Sequence, residues 1–175
     1  MTVYNIDHGL GLVREFHDAF KVERVPLTQE GLDLRISFIL SEFSEYYLAL
    51  SEKNKVEQLD ALVDIAYFAL GTIDIYELQR PKSVVVRGHD NLTYALFPVL
   101  THRAHCAEGT LYTALFYLVR TAHTLAKSLG DFKGALDEVH RSNMTKLEDG
   151  KPLIMAGKIK KGKNYSAPQL SQFLK

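Results

Sequence analysis

Two long helical patterns, separated by a short polar break, constrain the fold of this chain more than any other feature. Behind Pro26 and Thr28, apolar residues recur at intervals of three and four, and the pattern stops at the segment SEKN. It resumes behind Asn54, a favourable N-cap with Glu57 three residues later. Because the connection is short, we expect an antiparallel helix pair. The apolar positions are Leu32, Ile36, Ile39, Phe43, Tyr46 and Leu50 in the first pattern and Leu59, Leu62, Val63, Ala66, Leu70 and Ile73 in the second.

The rest of the chain predicts further helices and an irregular end. Pro81, Gly88 and a β-branched triplet make Gln79 to Asp90 a loop. From His140 onward the chain is rich in Lys, Gly and Asn, which favours an irregular tail. The predicted helices are 9–21, 91–106, 110–128 and a short one from Asp131 to Val139. The fold class expected is all-α, an antiparallel helix bundle in one domain, residues 1–175.

Composition and charge narrow the functional classes. Among 175 residues, 46% are hydrophobic, enough for one domain with a sizeable core. Lys plus Arg and Asp plus Glu number 21 each, so the overall charge gives no sign of a nucleic-acid or membrane partner. Cys106 is the single cysteine, and the first residues lack the pattern of a signal peptide. We therefore expect a cytoplasmic protein.

Acidic residues on the two long helices form the candidate site. Glu42 and Glu45 are three residues apart on the first helix, and Asp60 and Asp64 are four apart on the second. These spacings put each pair on one side of its helix, so the four carboxylates can converge between the helices. Clustered carboxylates repel one another unless hard cations neutralise them, and Mg²⁺ or Mn²⁺ suits an all-oxygen site.

Acidic residues on helices more often form a solvated face, and Glu57 can serve simply as a capping residue beside Asn54. The context of Asp64 favours the metal hypothesis, because it interrupts the apolar run ALVDIAYFAL and would be costly to bury without a partner. Glu42, between Leu40 and Phe43, is the next most informative carboxylate.

The segments SEFSE and EQLDALVDIAYFALG resemble the EExxE…ExxD signature of the all-α NTP pyrophosphohydrolases, the superfamily of MazG, dimeric dUTPase and phosphoribosyl-ATP pyrophosphohydrolase. The tail EVHRSNMTKLEDGKP…GKIKKGKNYSAPQL is similar to the end of a MazG-like branch called Cof-like, and a phage-type enzyme fits this pattern. Relative to shorter members, residues 80–130 look like an inserted helical hairpin.

Two departures from the signature affect the ligand assignment. Ser41 stands at the first acidic position, so one metal ligand is missing or replaced. Ala61 lies three residues before Asp64, which leaves the second motif readable as either Glu57/Asp60 or Asp60/Asp64. We assign the pair Asp60 and Asp64 as ligands.

The resemblance implies metal-dependent hydrolysis of a (deoxy)nucleoside triphosphate to the monophosphate and pyrophosphate, with two or three Mg²⁺ or Mn²⁺ ions. In this interpretation Glu42 and Glu45 bind metal and orient or deprotonate the attacking water, with Asp60 and Asp64 as further ligands. The tail, residues 140–175, would cover the substrate. Its predicted substrate-binding residues are Asn143, Lys146, Lys158, Lys161 and Tyr165, with Arg141 as a further cation.

The base remains open, with a lean towards dGTP or GTP. The alternatives are dUTP pyrophosphatase activity, phosphoribosyl-ATP hydrolysis, and a non-enzymatic helical interaction module whose acidic stripes are solvent faces. Relatives of this superfamily assemble with shared sites, so the resemblance also implies a homodimer or homotetramer.

Overall fold

The computed structural model describes residues 5–82, 87–148, 151–152, 154–155, 158–159 and 161–175, with only the backbone described at 148, 151–152, 154–155 and 158. Most of the described chain is helical, and the predicted all-α class is confirmed. The helices are α1 (Ile6–Ala19), α2 (Gln29–Ser51), α3 (Lys55–Ile75), α4 (Leu92–Leu100), α5 (Glu108–Leu129) and α6 (Phe132–Met144).

Side-chain caps set where the first three helices begin. The Thr28 hydroxyl accepts a hydrogen bond from the Gly31 amide at 3.1 Å, and the Asn54 side chain accepts one from the Glu57 amide at 3.3 Å. The N-cap predicted at Asn54 is therefore confirmed, and Thr28 caps α2 in the same way. Helix α1 begins at Ile6 rather than at residue 9, because Asn5 accepts from the Asp7 amide and starts the helix earlier.

Helix α3 is the central element. It packs against α2, α5, α1 and α6, and most of its side chains are buried. An apolar surface on all sides of a helix is typical of a central core position. Fully buried leucines and isoleucines along α3 meet those of α2 and α5, as Leu62, Ile65, Ile39 and Leu115 illustrate.

Two predicted helix ends are wrong. Helix α4 stops at Leu100 instead of 106, because the Thr101 hydroxyl binds the Phe97 carbonyl and the His102 amide turns back to Val99. Helix α6 continues beyond Val139 to Met144, so the first five residues of the predicted tail are helical. Burial of His140 and Ser142 against the bundle continues the inward face and explains the extension.

Beyond α6 the chain forms two short antiparallel ladders and ends in a 3-10 helix, Leu170–Phe173. The ladders pair Leu147–Glu148 with Lys151–Pro152 and Ile154–Met155 with Lys158–Ile159. The tail is therefore more regular in backbone pairing than its Lys- and Gly-rich composition predicts.

The last ten residues, 166–175, form a strap that is docked onto the bundle. The Gln169 amide donates to Glu138, and the Phe173 carbonyl accepts from the Asp131 amide, both at 2.8 Å. Gly130 permits this approach, since a Cβ there would lie 1.9 Å from the Phe173 carbonyl oxygen. At the start of the strap, the Ser166 amide donates to the Thr145 hydroxyl at 2.9 Å. Thr145 and Ser166 thus bring together the two ends of the intervening segment.

None of the helices in the described ranges combines the length and apolarity needed to cross a membrane.

Candidate active site

The site lies between α2 and the first half of α3. Glu42 is buried on α2, with 8% of its surface exposed, whereas Glu45 one turn later is exposed. Asp60 and Asp64 are both partly buried on α3. Antiparallel packing of the two helices turns the two acidic pairs towards each other.

The pKa of Asp60 reports this proximity. Burial raises it first, and the negative charges of Glu57 and Glu45 raise it further, to about 6. The positive charges of Lys161 and Lys146 act in the opposite direction. The carboxylate of Asp60 therefore has acidic neighbours on both helices and cationic ones from the tail.

Asp64 lies deeper and has an even less favourable environment for its charge. Burial raises its pKa well above the ordinary value, and the charges of Asp60 and Glu42 add to the rise. Lys146 is the cation that opposes this rise. Asp64 interrupts an apolar run in the sequence. In the structure its carboxylate is correspondingly desolvated and lies among other negative charges.

Lys146 enters the site from just beyond the end of α6. Its ammonium donates to the Asn143 side-chain oxygen at 2.6 Å. Burial lowers its pKa, while Asp64 and Tyr165 raise it. Lys161 stands nearby, with its ammonium 4.7 Å from the centre of the Tyr165 ring. Four of the five predicted substrate residues therefore adjoin one another or the carboxylates.

A line of hydrogen bonds extends from Lys146 across the bundle to α1. Asn143 hydrogen-bonds the Tyr67 hydroxyl, and that hydroxyl lies 3.0 Å from Nδ1 of His140. On its other side, Nε2 of His140 is 3.3 Å from a carboxylate oxygen of Glu15. We call this chain, from Lys146 through Asn143, Tyr67 and His140 to Glu15, the α1 relay.

The partners fix the direction of donation along the α1 relay. Nε2 of His140 faces a carboxylate and carries the proton, so Nδ1 accepts from Tyr67. The Tyr67 oxygen then accepts from the Asn143 amide, which leaves the Asn143 carbonyl to accept from Lys146. Each link of the relay then pairs one donor with one acceptor, and the link to Asn143 orients the ammonium of Lys146.

Sequence reasoning missed Tyr67 and His140 because neither stands out from its local sequence. Tyr67 occupies the apolar run after Asp64, and His140 is the first residue of the predicted irregular tail. The available signal was spacing: Tyr67 follows Asp64 by three residues, and Asn143 follows His140 by three, so each pair shares a helix face.

Two other predictions about the tail have different outcomes. The side chain of Lys158 lies outside the described residues, and its assignment stays a prediction. Arg141 is engaged elsewhere: its guanidinium binds Glu138 through two hydrogen bonds of 2.8 Å and reaches Ser166 and Ala167. It anchors the strap rather than facing the carboxylates.

The donor chemistry fits Mg²⁺ or Mn²⁺. All four candidate ligands offer hard oxygens, and two of them have raised pKa values that a cation would reverse. Over the ranges described, however, no three acidic, His or Cys side chains are already drawn together as a coordination shell. The residues fit a cation in type and charge, and side-chain rotation would have to bring them together.

Comparison with known proteins gives a match to a family model. The family model described as phosphoribosyl-ATP pyrophosphohydrolase matches residues 13–85. The match fits the MazG-like all-α NTP pyrophosphohydrolase superfamily. It supports nucleotide pyrophosphohydrolase activity in general. No curated protein and no solved structure matches the chain.

The matched span contains α2 and α3 and therefore all four candidate ligands, but not Asn143, Lys146 or Tyr165. Helices α4 to α6 and the strap also lie outside it. The family match thus covers the acidic half of the site, and the cationic half lies outside the matched residues.

Proposed function

We propose that this protein hydrolyses a (deoxy)nucleoside triphosphate between its α and β phosphates, releasing the monophosphate and pyrophosphate with Mg²⁺ or Mn²⁺. The observation that carries the proposal is the pair Asp60 and Asp64, whose pKa values are raised by burial and by the facing acids of α2. Purely structural acids are normally stabilised in their charged form by partners, so acids held in this state are typical of a functional site.

The chemistry requires attack of water on the α-phosphorus. The water oxygen forms a bond to phosphorus, the bond from phosphorus to the bridging oxygen of the β-phosphate breaks, and pyrophosphate leaves with that electron pair. Glu45 or Glu42 accepts the proton of the water and later releases it to solvent. Between the two, Glu45 is the more accessible to water.

Glu42, Glu45, Asp60 and Asp64 would hold the cations, which when bound supply neutralisation of the triphosphate charge and a more acidic water. Lys146 and Lys161 serve the phosphate end of the substrate. Both ammonium groups lie close enough to Asp60 to lower its pKa, so they face the place where phosphate oxygens would meet the acids. Asn143 and Tyr165 flank them and are our candidates for contacts to the sugar or base.

The substrate is best tested with a panel of triphosphates at fixed Mg²⁺ or Mn²⁺. Our first expectation is dGTP or GTP, with dUTP as the alternative. Release of pyrophosphate and the matching monophosphate supports the proposed bond, and formation of orthophosphate alone contradicts it. Asp64→Asn should abolish the release, whereas Asp33→Asn, a change at an exposed aspartate bonded to Gln29, should not.

Phosphoribosyl-ATP is a second candidate substrate, favoured by the description of the family that matches residues 13–85. It contains the same triphosphate-to-nucleoside linkage, so the same acids could act on it. Including it in the panel separates the two proposals, since faster turnover of phosphoribosyl-ATP than of every triphosphate would replace the first.

We also propose a homodimer or homotetramer. Large apolar side chains remain exposed on α2 and α4: Leu48 at 59%, Tyr94 at 66% and Phe97 at 64%. The Tyr47 hydroxyl joins the two helices by a 3.0 Å contact with Thr93, so these side chains share a continuous surface. Light scattering on the full chain measures the assembly, and a fully active monomer would contradict it.

A further inference from the structure

A cavity lies at the opposite end of α3 from the acidic site. Its volume is about 470 Å³, within the usual range for small-molecule sites. Asp74 at its base follows Asp64 by ten residues of the same helix, which corresponds to about 15 Å along the axis. The candidate ligands of the acidic site do not line this cavity.

Three arginines reach this cavity from three separate parts of the chain. Arg14 comes from α1, Arg24 from the segment after α1, and Arg80 from the segment after α3. A planar carboxylate offers two oxygens to such a set, whereas a phosphate monoester offers three, so the set suits phosphate better.

Asp74 positions two of these arginines. The side chain is buried, and its oxygens accept from Nε of Arg14 at 3.1 Å, Nδ1 of His17 at 2.8 Å and a terminal nitrogen of Arg24 at 2.9 Å. Burial alone would raise its pKa, but the hydrogen bonds from His17 and Arg14 outweigh that effect and lower it. Asp74 therefore stays charged and holds Arg14 and Arg24 in place.

Two donors at the cavity have no partner within the portion of the chain that the structure describes. The guanidinium of Arg80 makes no hydrogen bond or ion pair there. Tyr112 also lines the cavity: 98% of its surface is buried, and its hydroxyl makes no hydrogen bond in that portion of the chain. A tyrosine hydroxyl normally finds a hydrogen-bond partner, so that of Tyr112 is available to an acceptor that enters the cavity.

Together with Asp74, the rim residues Asp7 and Glu77 balance the formal charge of the three arginines, so net charge is not the basis of anion recognition. Recognition depends instead on the hydrogen-bond donors of the arginines and Tyr112 that line the cavity. Leu10, Ile73 and Leu78 supply apolar wall beside the donors, which suits the organic part of a monoester.

We propose that this cavity binds a small phosphorylated molecule, a phosphate monoester of nucleotide size, through Arg80, Arg14, Arg24 and the Tyr112 hydroxyl. This proposal goes beyond the pyrophosphohydrolase activity and does not depend on it. A ligand here would contact α1, α3 and α5, and α3 is the helix that also carries Asp60 and Asp64.

The test is calorimetric titration of the full chain with AMP, GMP, ribose 5-phosphate, inorganic phosphate and acetate, in EDTA. Arg80→Ala is the central variant, because Arg80 is exposed and its loss should not disturb folding. We expect it to weaken monoester binding about tenfold, the scale of one charge-assisted hydrogen bond. Tyr112→Phe should weaken it by a smaller factor.

Arg103→Ala is the matched control and should bind as the wild type does, because the Arg103 guanidinium donates to the neighbouring His102 carbonyl and does not line the cavity. Asp60→Asn should also leave binding unchanged, which separates this cavity from the acidic site. Absence of monoester binding, equal binding of acetate, or monoester binding that Arg80→Ala leaves unweakened would each overturn the proposal.

Discussion

Asp64 and Asp74 stand on one helix in opposite electrostatic environments. Asp74 receives two arginines and a histidine, and its pKa lies below the ordinary value. Asp64 faces Asp60 and Glu42, with Lys146 as its nearby cation, and its pKa lies well above. Helix α3 thus carries one aspartate that completes an internal ion cluster and another whose charge the protein leaves undercompensated. The first stabilises the fold, and the second is available to a ligand.

The largest effect should follow removal of charge at Asp64. Asp64→Asn should lower pyrophosphate release roughly 100- to 1000-fold, the cost of losing one group that stabilises transition-state charge. It should also remove the rise in melting temperature that Mg²⁺ gives the wild type, since binding to the folded state stabilises it by mass action. Steady-state kinetics and thermal unfolding with and without Mg²⁺ measure both effects.

If Asp64→Asn and Glu42→Gln kept full activity and left stability unchanged at all Mg²⁺ concentrations, the interaction-module alternative would be favoured.

Replacing Asp74 should damage stability instead of catalysis. Asp74→Asn leaves two arginines and a histidine around a neutral amide and should cost about 3 kcal/mol in the free energy of unfolding at pH 7. Because the pKa of Asp74 is lowered on folding, its contribution is present above pH 4 and is lost as the pH falls through the folded value. Urea unfolding at pH 7 and pH 3 tests this, and kcat of the folded variant should remain within a few-fold of wild type.

Asp60 should show the reverse pH dependence. Its pKa rises from 3.8 to about 6 on folding, so in EDTA its ionisation lowers stability as the pH rises between these values. Asp60→Asn should therefore stabilise the metal-free protein by roughly 2 kcal/mol at pH 7, with no gain below pH 4. Urea unfolding in EDTA across this pH range measures it. A destabilised Asp60→Asn at pH 7 would mean that the acid already has adequate partners.

The α1 relay predicts a smaller effect on substrate binding. Tyr67→Phe keeps the ring, including its edge contact with Phe16, and removes only the hydroxyl between His140 and Asn143. Loss of one hydrogen bond should raise KM about fivefold through Lys146 and leave kcat nearly unchanged. Tyr117→Phe, at a partly buried tyrosine of α5, is the control. Equal changes in KM in both variants would mean that Tyr67 acts only through packing and that the α1 relay does not orient Lys146.

Local spacing is enough to predict the helices and to predict which acidic residues share a helix face. A repeat of three and four residues places Leu62 and Ala66 inward, and the same periodicity pairs Asp60 with Asp64. The extension of α6 to Met144 was not predictable in this way, since burial of His140 by distant helices stabilises it. The assignment of the four acids as metal ligands stays a prediction.

The lysines beside the acidic site and the arginine-lined cavity are positioned by contacts between residues far apart in sequence. Tyr67 and His140 are 73 positions apart, and Asp74 meets His17 across 57. No local spacing encodes such pairs, and a polar residue inside an apolar run gives only a hint. Asp74 lies in the same kind of run as Asp64, and its opposite role follows from the arginines that the fold brings to it.

The docked carboxyl end has a consequence for how Lys161 reaches the phosphates. With Ser166 bonded to Thr145 and the strap fastened to α6, the chain from 146 to 165 is a closed loop rather than a dangling arm. Loop closure confines Lys161 to a small volume. The docked strap, and not the diffusion of a free terminus, therefore sets its effective concentration near the acids. Deleting residues 166–175 would lower the effective concentration of Lys161 near the acids, although it removes no side chain of the site.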